Sequence, residues 1–347
     1  MAAMQKDAEE YFQTWKPEHA LVDQEEKTEN IESRKSSYDV MAVQYYNLVT
    51  RIFQSMGRMC GHNCRIFPNE TIEQALVRHE HYLALRMGIQ EDQKVLDVGC
   101  GIGHPARSIA RLTGANITGI NISDLQLRQA RQLTQDAGLG YQINYVNENF
   151  MEMSFADETF DAAYAIEATC YAPSLKDVYS EVYRVLKPGA TFGCFEVVMT
   201  DRYDDNDPVH RDIRHKVERG GGISHIVTAS EAIAAMKAAG FELLTVDDLA
   251  ERPDQIPWQT QFVQLPPETR GIFPSLLMYL ITIARCSKIG SHMLQTVYGK
   301  LEGMGVIPPG SQKMMDLVVT ILDGEYQGAE LKIFSSMFLM LARKPVN

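Results

Sequence analysis

Lys94-Val95-Leu96-Asp97-Val98 runs directly into Gly99-Cys100-Gly101-Ile102-Gly103, and His104-Pro105-Ala106-Arg107-Ser108-Ile109-Ala110 follows without a break. Apolar, β-branched residues predict a strand over 94–98, and Pro105 suits the first turn of a helix, where its missing N–H has no partner to lose. Strand, glycine turn and helix open a βαβ unit, so this stretch decides the fold class.

The same alternation continues downstream. Strands are predicted at Asn116 to Ile120, Ile143 to Val146, Phe160 to Ala165, Ala190 to Val198 and Phe241 to Val246. Between them lie helices at Leu125 to Ala137, at Leu175 to Leu186, and from the capping box of Thr228 and Glu231 to Gly240. Lys332 to Ala342, apolar and bounded by charges, predicts a last buried strand. The expected fold class is α/β, a doubly wound, Rossmann-like parallel sheet.

Upstream, Val40, Val43, Tyr46, Val49 and Phe53, then Ile72, Leu76, His79 and Leu83, recur at helical spacing, which predicts N-terminal helices across 38–90. Residues 1–37 are polar and predict a solvated arm or a loosely docked helix. Residues 200–227 and 250–312 interrupt the alternation and predict lid or substrate-binding insertions, the second mostly helical.

The 347 residues are 45% hydrophobic and 22% charged, which buries a sizeable core and excludes long disorder. Their 33 basic and 45 acidic side chains leave a net charge of −12, which repels polyanions and argues against nucleic acid as a partner. No run reaches the ~20 apolar residues of a membrane span. Phe273 to Ala284 is broken by Pro274, Ser275 and Thr282, so it suits peripheral contact with a lipid surface better than a crossing. The polar N-terminus lacks the apolar core of a secretory signal, so the expected location is cytoplasmic, with all six cysteines reduced.

The glycines of Asp97 to Gly103 permit positive φ and close approach of a ligand to the backbone. A dinucleotide fingerprint needs a small residue at position 104 and an acid about twenty residues on, where this chain has His104 and Asn121. S-adenosylmethionine fits the same topology, because its methionine end carries no phosphate. Asp97 then faces its ammonium group, Gly99 and Gly101 line the turn, Asn121 reaches the ribose, and Asn149 and Phe150 meet the adenine. Ile122, Gln126 and Ile166 complete the expected cofactor-binding set.

The sequence also resembles class I methyltransferases and, more narrowly, the sterol 24-C-methyltransferase family. The resemblance is carried by Arg78 to Ala84, Leu96 to Gly103, Thr113 to Asn116, Tyr164 to Thr169, Tyr183 to Gly189, Val198 to Asp201 and Phe338 to Pro345, and covers roughly Tyr38 to Pro345. It implies S-adenosylmethionine as cofactor and a hydrophobic, sterol-like or isoprenoid-like small molecule as substrate. It also implies attack of an alkene on the sulfonium methyl, a carbocation, and loss of a proton. Such chemistry needs carboxylates or aromatic faces near the cation. Glu167 and Glu196, at the ends of adjacent predicted strands, are the candidate substrate-facing acids, with His62 and Tyr171 as further catalytic candidates.

Several positions depart from the family pattern. Its aromatic segment before the histidine is Phe53-Gln54-Ser55-Met56-Gly57-Arg58 here, its tryptophan after Glu196 is Val197, its histidine is Tyr171, and an acidic position is Gly221. Two other readings stay open: methylation of oxygen or nitrogen assisted by a base such as His62, and a cyclase or binding protein that keeps the cofactor without methyl transfer. Oligomeric state is open too. Cys60-Gly61-His62-Asn63-Cys64 packs three ligand types into five residues, which strains a tetrahedral site, so no metal is expected. His79 and His81 lie two apart on one helix, face different sides, and read as structural.

Overall fold

The computed structural model describes residues 11–13, 15, 28–55, 61–262, 288–306 and 310–346. Its sheet has seven strands: β1 (Lys94–Val98), β2 (Asn116–Asn121), β3 (Ile143–Asn147), β4 (Phe160–Ile166), β5 (Leu186–Met199), β6 (Glu242–Asp248) and β7 (Phe334–Arg343). They lie side by side in the order β3, β2, β1, β4, β5, β7, β6. The first five pair in parallel.

Alternation along the strands divides the core into two layers. Val95, Tyr164 and Phe195 meet Leu83 and Met87 of α3 (Ile72–Met87), Ile109 of α4 (His104–Thr113) and Leu127 of α5 (Asp124–Asp136). On the other face Leu96, Val98, Phe192 and Cys194 meet Val178 and Val182 of α6 (Leu175–Val185) and Met236 of α8 (Ala229–Ala238). The Thr228 and Glu231 box caps α8 as the spacing predicts.

The sheet is not wholly parallel, which corrects one expectation. β7 runs antiparallel between β5 and β6, with Leu339 opposite Phe195 and Met340 opposite Val246. Its entry point explains this: the chain leaves α10 (Ser311–Glu330) with Phe334 opposite Met199, at the carboxyl end of β5, and can only run back. The sequence reading did not anticipate α10, which packs on α7 (Pro208–Gly221) within the first predicted insertion. Of the second insertion, short 3₁₀ turns at Leu249–Glu251 and Trp258–Phe262 and α9 (Lys288–Gly303) are described. Phe273 to Ala284, like Gly57, Arg58 and Cys60, lies outside the described residues.

A second correction concerns the N-terminal arm. Residues Thr28–Ser36 form α1, followed by α2 (Tyr38–Ser55). Arg34 is only 3% exposed: its Nε donates to the Ser224 carbonyl at 3.0 Å, its Nη2 lies 3.6 Å from Glu218, and its guanidinium stacks 4.5 Å over Trp15. A buried cation persists only with such partners, so α1 is held at Arg34 more firmly than a loosely docked helix. Arg34→Ala is expected to cost about 1.5 to 3 kcal/mol, the range for hydrogen bonds to charged groups, because Glu218 keeps Arg214 as a partner. The denaturant midpoint measures it, and an unchanged midpoint would mean that α1 is not held by this residue.

Candidate active site

The carboxyl ends of β1, β2 and β4 meet at the glycine turn. Gly99 N–H donates to Ile120 O at 3.0 Å, and Asn121 Nδ2 lies 3.5 Å from Gly101 O. Gly101 has φ +54°, and a Cβ built there meets no atom within 4 Å, so the turn presents bare backbone to open space. Gly99 serves packing instead: a Cβ there would fall 2.5 Å from that of Ala168.

Asp97 is 2% exposed and its Oδ2 has no hydrogen-bond partner. Burial pushes its pKa up to about 7, against the pull of the Tyr164 hydroxyl and reinforced by the charge of Glu80. A desolvated carboxylate with an orphan oxygen beside an open backbone cradle fits the ammonium and methionine chain of S-adenosylmethionine.

The flanking residues are placed as follows. Asn121 accepts from Ser123 N–H at 3.1 Å and donates to Gln126 Oε1 at 2.8 Å, so much of its amide is engaged in starting α5. Gln126 in turn donates to Thr50 Oγ1 of α2 at 3.2 Å. Asn149 donates to the Tyr38 hydroxyl at 2.5 Å and accepts from Met151 N–H at 3.0 Å. Ile122 and Phe150 are half-buried, while Ile166 is buried at the end of β4. Three of the expected cofactor residues thus also tie α2 to the strand ends.

Glu167 follows β4 with φ +49°, an uncommon conformation for a residue with a side chain, and is half-buried. Its Oε1 accepts from Asn63 N–H at 2.8 Å. The Asn63 amide donates onward to Glu325 of α10 and to Ser336 of β7, both at 3.1 Å. Tyr171 stands nearby on a 3₁₀ turn, its hydroxyl donating to Gly221 O at 3.0 Å. Its ring lies 5.4 Å from that of Tyr46, which is 5.2 Å from that of Tyr45. The rings of Tyr45, Tyr46 and Tyr171 thus form one aromatic group. Glu167 is close enough that its charge adds to the upward push of burial on the Tyr46 hydroxyl.

His62 is 6% exposed and points at Glu80: its Nε2 is 3.0 Å from Glu80 Oε1, and its Nδ1 3.2 Å from Asn63 O. His104 meets the same oxygen with Nδ1 at 2.6 Å and Glu73 with Nε2 at 3.0 Å. Although burial raises it, the two imidazoles hold the Glu80 carboxyl down at about 2. The sequence reading missed Glu80 and His104 as site residues. Glu80 was in view within Arg78 to Ala84, but only the fold brings it to His104.

Glu196 is the main correction. It is 0% exposed and accepts on Oε2 from the hydroxyls of Thr169 and Tyr179, so it does not face a substrate. Burial pushes its pKa up despite these donors and the Val197 N–H at 3.0 Å. Strand parity explains it: Phe195 and Val197 turn to the α3 face, which sends Glu196 to the α6 face with Phe192, Cys194 and Val198.

Residues 96–194 match a family model described as methyltransferase domain, and 281–346 one described as sterol methyltransferase C-terminal. The chain is 44% identical over 345 residues to sterol 24-C-methyltransferase erg-4 of Neurospora crassa, covering 99% of this chain and 89% of the relative. It belongs to the sterol methyltransferase family.

Another relative in this comparison, methyltransferase phqN of Penicillium fellutanum, is 57% identical over 345 residues and covered to 99%, as is this chain. Among solved structures, the [4+2]-cyclase SpnF has a TM-score of 0.61 at 22% identity, with 88% of this chain and 96% of that one covered. Geranyl diphosphate C-methyltransferase from Streptomyces coelicolor A3(2) has a TM-score of 0.58 at 15% identity, with 86% and 98% covered. At these identities both speak for the fold alone. This sterol methyltransferase family member is an S-adenosylmethionine-dependent methyltransferase.

Two measurements test the cofactor end. Gly101→Ala keeps the fold, since its Cβ has room and the left-handed conformation costs about 1 to 2 kcal/mol, but lowers S-adenosylmethionine affinity at least about tenfold by calorimetry. Wild-type affinity would remove this glycine from the cradle. Because Asp97 ionises at about 7 and only its anion pairs with an ammonium group, affinity should fall about tenfold per pH unit from pH 7 down to about 5.5. The ligand's α-amino group, titrating at about 7.7 to 8, stays charged throughout that interval. A flat profile would mean that Asp97 does not meet the charge.

Proposed function

We propose that this enzyme transfers a methyl group to a carbon of a hydrophobic, isoprenoid-like small molecule. One observation carries the reading: the half-buried Glu167 carboxylate stands at the end of the strand next to β1, and its charge is felt at the hydroxyl of Tyr46, whose ring lies 5.4 Å from that of Tyr171. The printed names of the relatives, sterol 24-C-methyltransferases, support the same substrate class.

When bound, S-adenosylmethionine supplies an electrophilic methyl group on a sulfonium. The chain's own part is to hold Asp97 against the ammonium, to exclude water beneath α2, and to place negative charge and ring faces where positive charge develops on the substrate. The new C–C bond would use the alkene's π pair, while the methyl–sulfur bond breaks with its electron pair left on the departing thioether. The proton then lost from the substrate passes to the Glu167 carboxylate and on to water. His62, turned toward Glu80, acts here by positioning Asn63, whose N–H holds Glu167.

A second reading, methyl transfer to nitrogen or oxygen, is favoured by the withdrawal of Glu196. With that acid buried on the opposite face, Glu167 is the one of the two candidate acids left for the substrate, enough for a heteroatom nucleophile that forms no carbocation. A lipid-soluble substrate also favours work at the surface of a membrane such as the endoplasmic reticulum. Among the described residues no helix is long and apolar enough to cross one.

Labelled S-adenosylmethionine offered with an organic extract of the host, followed by mass spectrometry, tests the acceptor. Label on a hydrocarbon carbon supports the first reading; an N-methyl or methoxy product replaces it with the second. Glu167→Gln should lower kcat about 10² to 10³ fold with cofactor affinity unchanged. Glu196→Gln should keep turnover per folded molecule within about twofold of wild type. A carboxyl whose folded pKa is raised binds protons more tightly in the native state, so its stabilising effect is present at low pH and lost as pH rises toward that folded value. Glu196→Gln therefore matches or exceeds wild-type thermal stability at about pH 8; a large loss of turnover would return Glu196 to the catalytic group.

A further inference from the structure

His62, Glu80 and His104 come from three separate elements, the loop before α3, α3 itself and the first residue of α4. They converge with one ligand atom each, all within 4.8 Å of one another and all buried. The tautomers are constrained. His62 Nδ1 faces the Asn63 carbonyl and His104 Nε2 faces the Glu73 carboxylate, so each of these nitrogens carries a proton. With those second nitrogens protonated, His62 Nε2 and His104 Nδ1 can face the Glu80 carboxylate only as N–H donors of imidazolium rings or as neutral ligands to a cation held between them. Glu80 Oε2 is buried with no hydrogen-bond partner, and among the described residues no lysine or arginine pairs with Glu80. Such an arrangement requires positive charge at its middle.

We propose that His62 Nε2, Glu80 and His104 Nδ1 form a binding site for a divalent transition metal of the zinc class. The donor set of two imidazoles and one carboxylate suits that ion. Asn63 O and Glu73 supply the outer contacts that ligating histidines make through their second nitrogen. Four-coordinate zinc with bonds of about 2.0 to 2.1 Å needs donors roughly 3.3 Å apart. The separations from Glu80 Oε1 are 3.0 and 2.6 Å, so small rotations of Glu80 and His104 open the site. The metal sits behind Asn63 and serves to fix the loop that holds Glu167, apart from the methyl-transfer chemistry itself. The inference does not depend on which atom accepts the methyl group.

The test uses the untagged full chain, stripped with a chelator. Zinc is titrated by calorimetry, and cobalt is loaded for its visible spectrum. One equivalent of zinc should bind and raise the melting temperature, and cobalt loaded into the stripped protein should show the ligand-field bands of four-coordination with no thiolate charge-transfer band. His104→Gln and Glu80→Gln should each weaken zinc at least about a hundredfold and abolish the zinc-dependent rise in Tm. His81→Gln, whose ring instead faces Ser108 O, should leave both unchanged. If Glu80→Gln does not fold, His104→Gln alone decides, since that ring lies nearer the surface with exposed Glu73. Absence of stoichiometric zinc would overturn the proposal and leave two protons as the neutralising charge. A thiolate band removed by Cys64→Ser would equally overturn it, by placing the metal on the Cys60 to Cys64 segment.

Discussion

The Glu80 carboxylate has no exposed surface, and the active end of the molecule is organised around its neutralisation. An unpaired buried charge is worth many kcal/mol of instability, so the groups that meet it are held tightly. His62 and His104 both reach its Oε1, which joins α3 to the loop before it and to the start of α4. Through His62 the constraint passes to Asn63, and from Asn63 to Glu167 at the end of β4, to Glu325 on α10 and to Ser336 on β7. One desolvated anion therefore links the cofactor turn to the residue best placed to meet a substrate.

The two acids nearest the chemistry owe their different environments to strand geometry. Glu167 stands past the last residue of β4, in a positive-φ conformation that breaks the strand's alternation and leaves its carboxylate half-buried. Glu196 lies within β5, where alternation admits no choice of side. It is consequently sealed beneath Thr169 and supports the turn that carries Tyr171, while Glu167 stays half-buried and accepts from Asn63 N–H. Adjacent strands thus give two glutamates opposite roles.

The N-terminal helices belong to the site as much as the sheet does. Gln126 bonds Thr50 and Asn149 bonds Tyr38, so α2 is fastened to the ends of β2 and β3. α2 also contributes Tyr45 and Tyr46, whose rings pack with that of Tyr171. Arg34, buried with Glu218 and Ser224, holds α1 against α7 and the segment that follows it. A cover bonded in this way excludes water while its own contacts stay largely within the chain.

How much of this was legible in the sequence follows from the range of each interaction. The strand at Lys94 to Val98, the positive-φ glycines and the capping box at Thr228 are local consequences of residue type and period, and they determined the fold class and pointed to the cofactor. Parity along β5 was equally present in Phe192, Cys194, Glu196 and Val198, and applying it strictly would have turned Glu196 away from the crevice. The reversal of β7, the docking of α1 and the meeting of His62, Glu80 and His104 were decided only by the tertiary structure. Each joins residues distant along the chain, and a buried charge or a strand edge finds its partner by proximity in space, which the local pattern of a sequence does not encode.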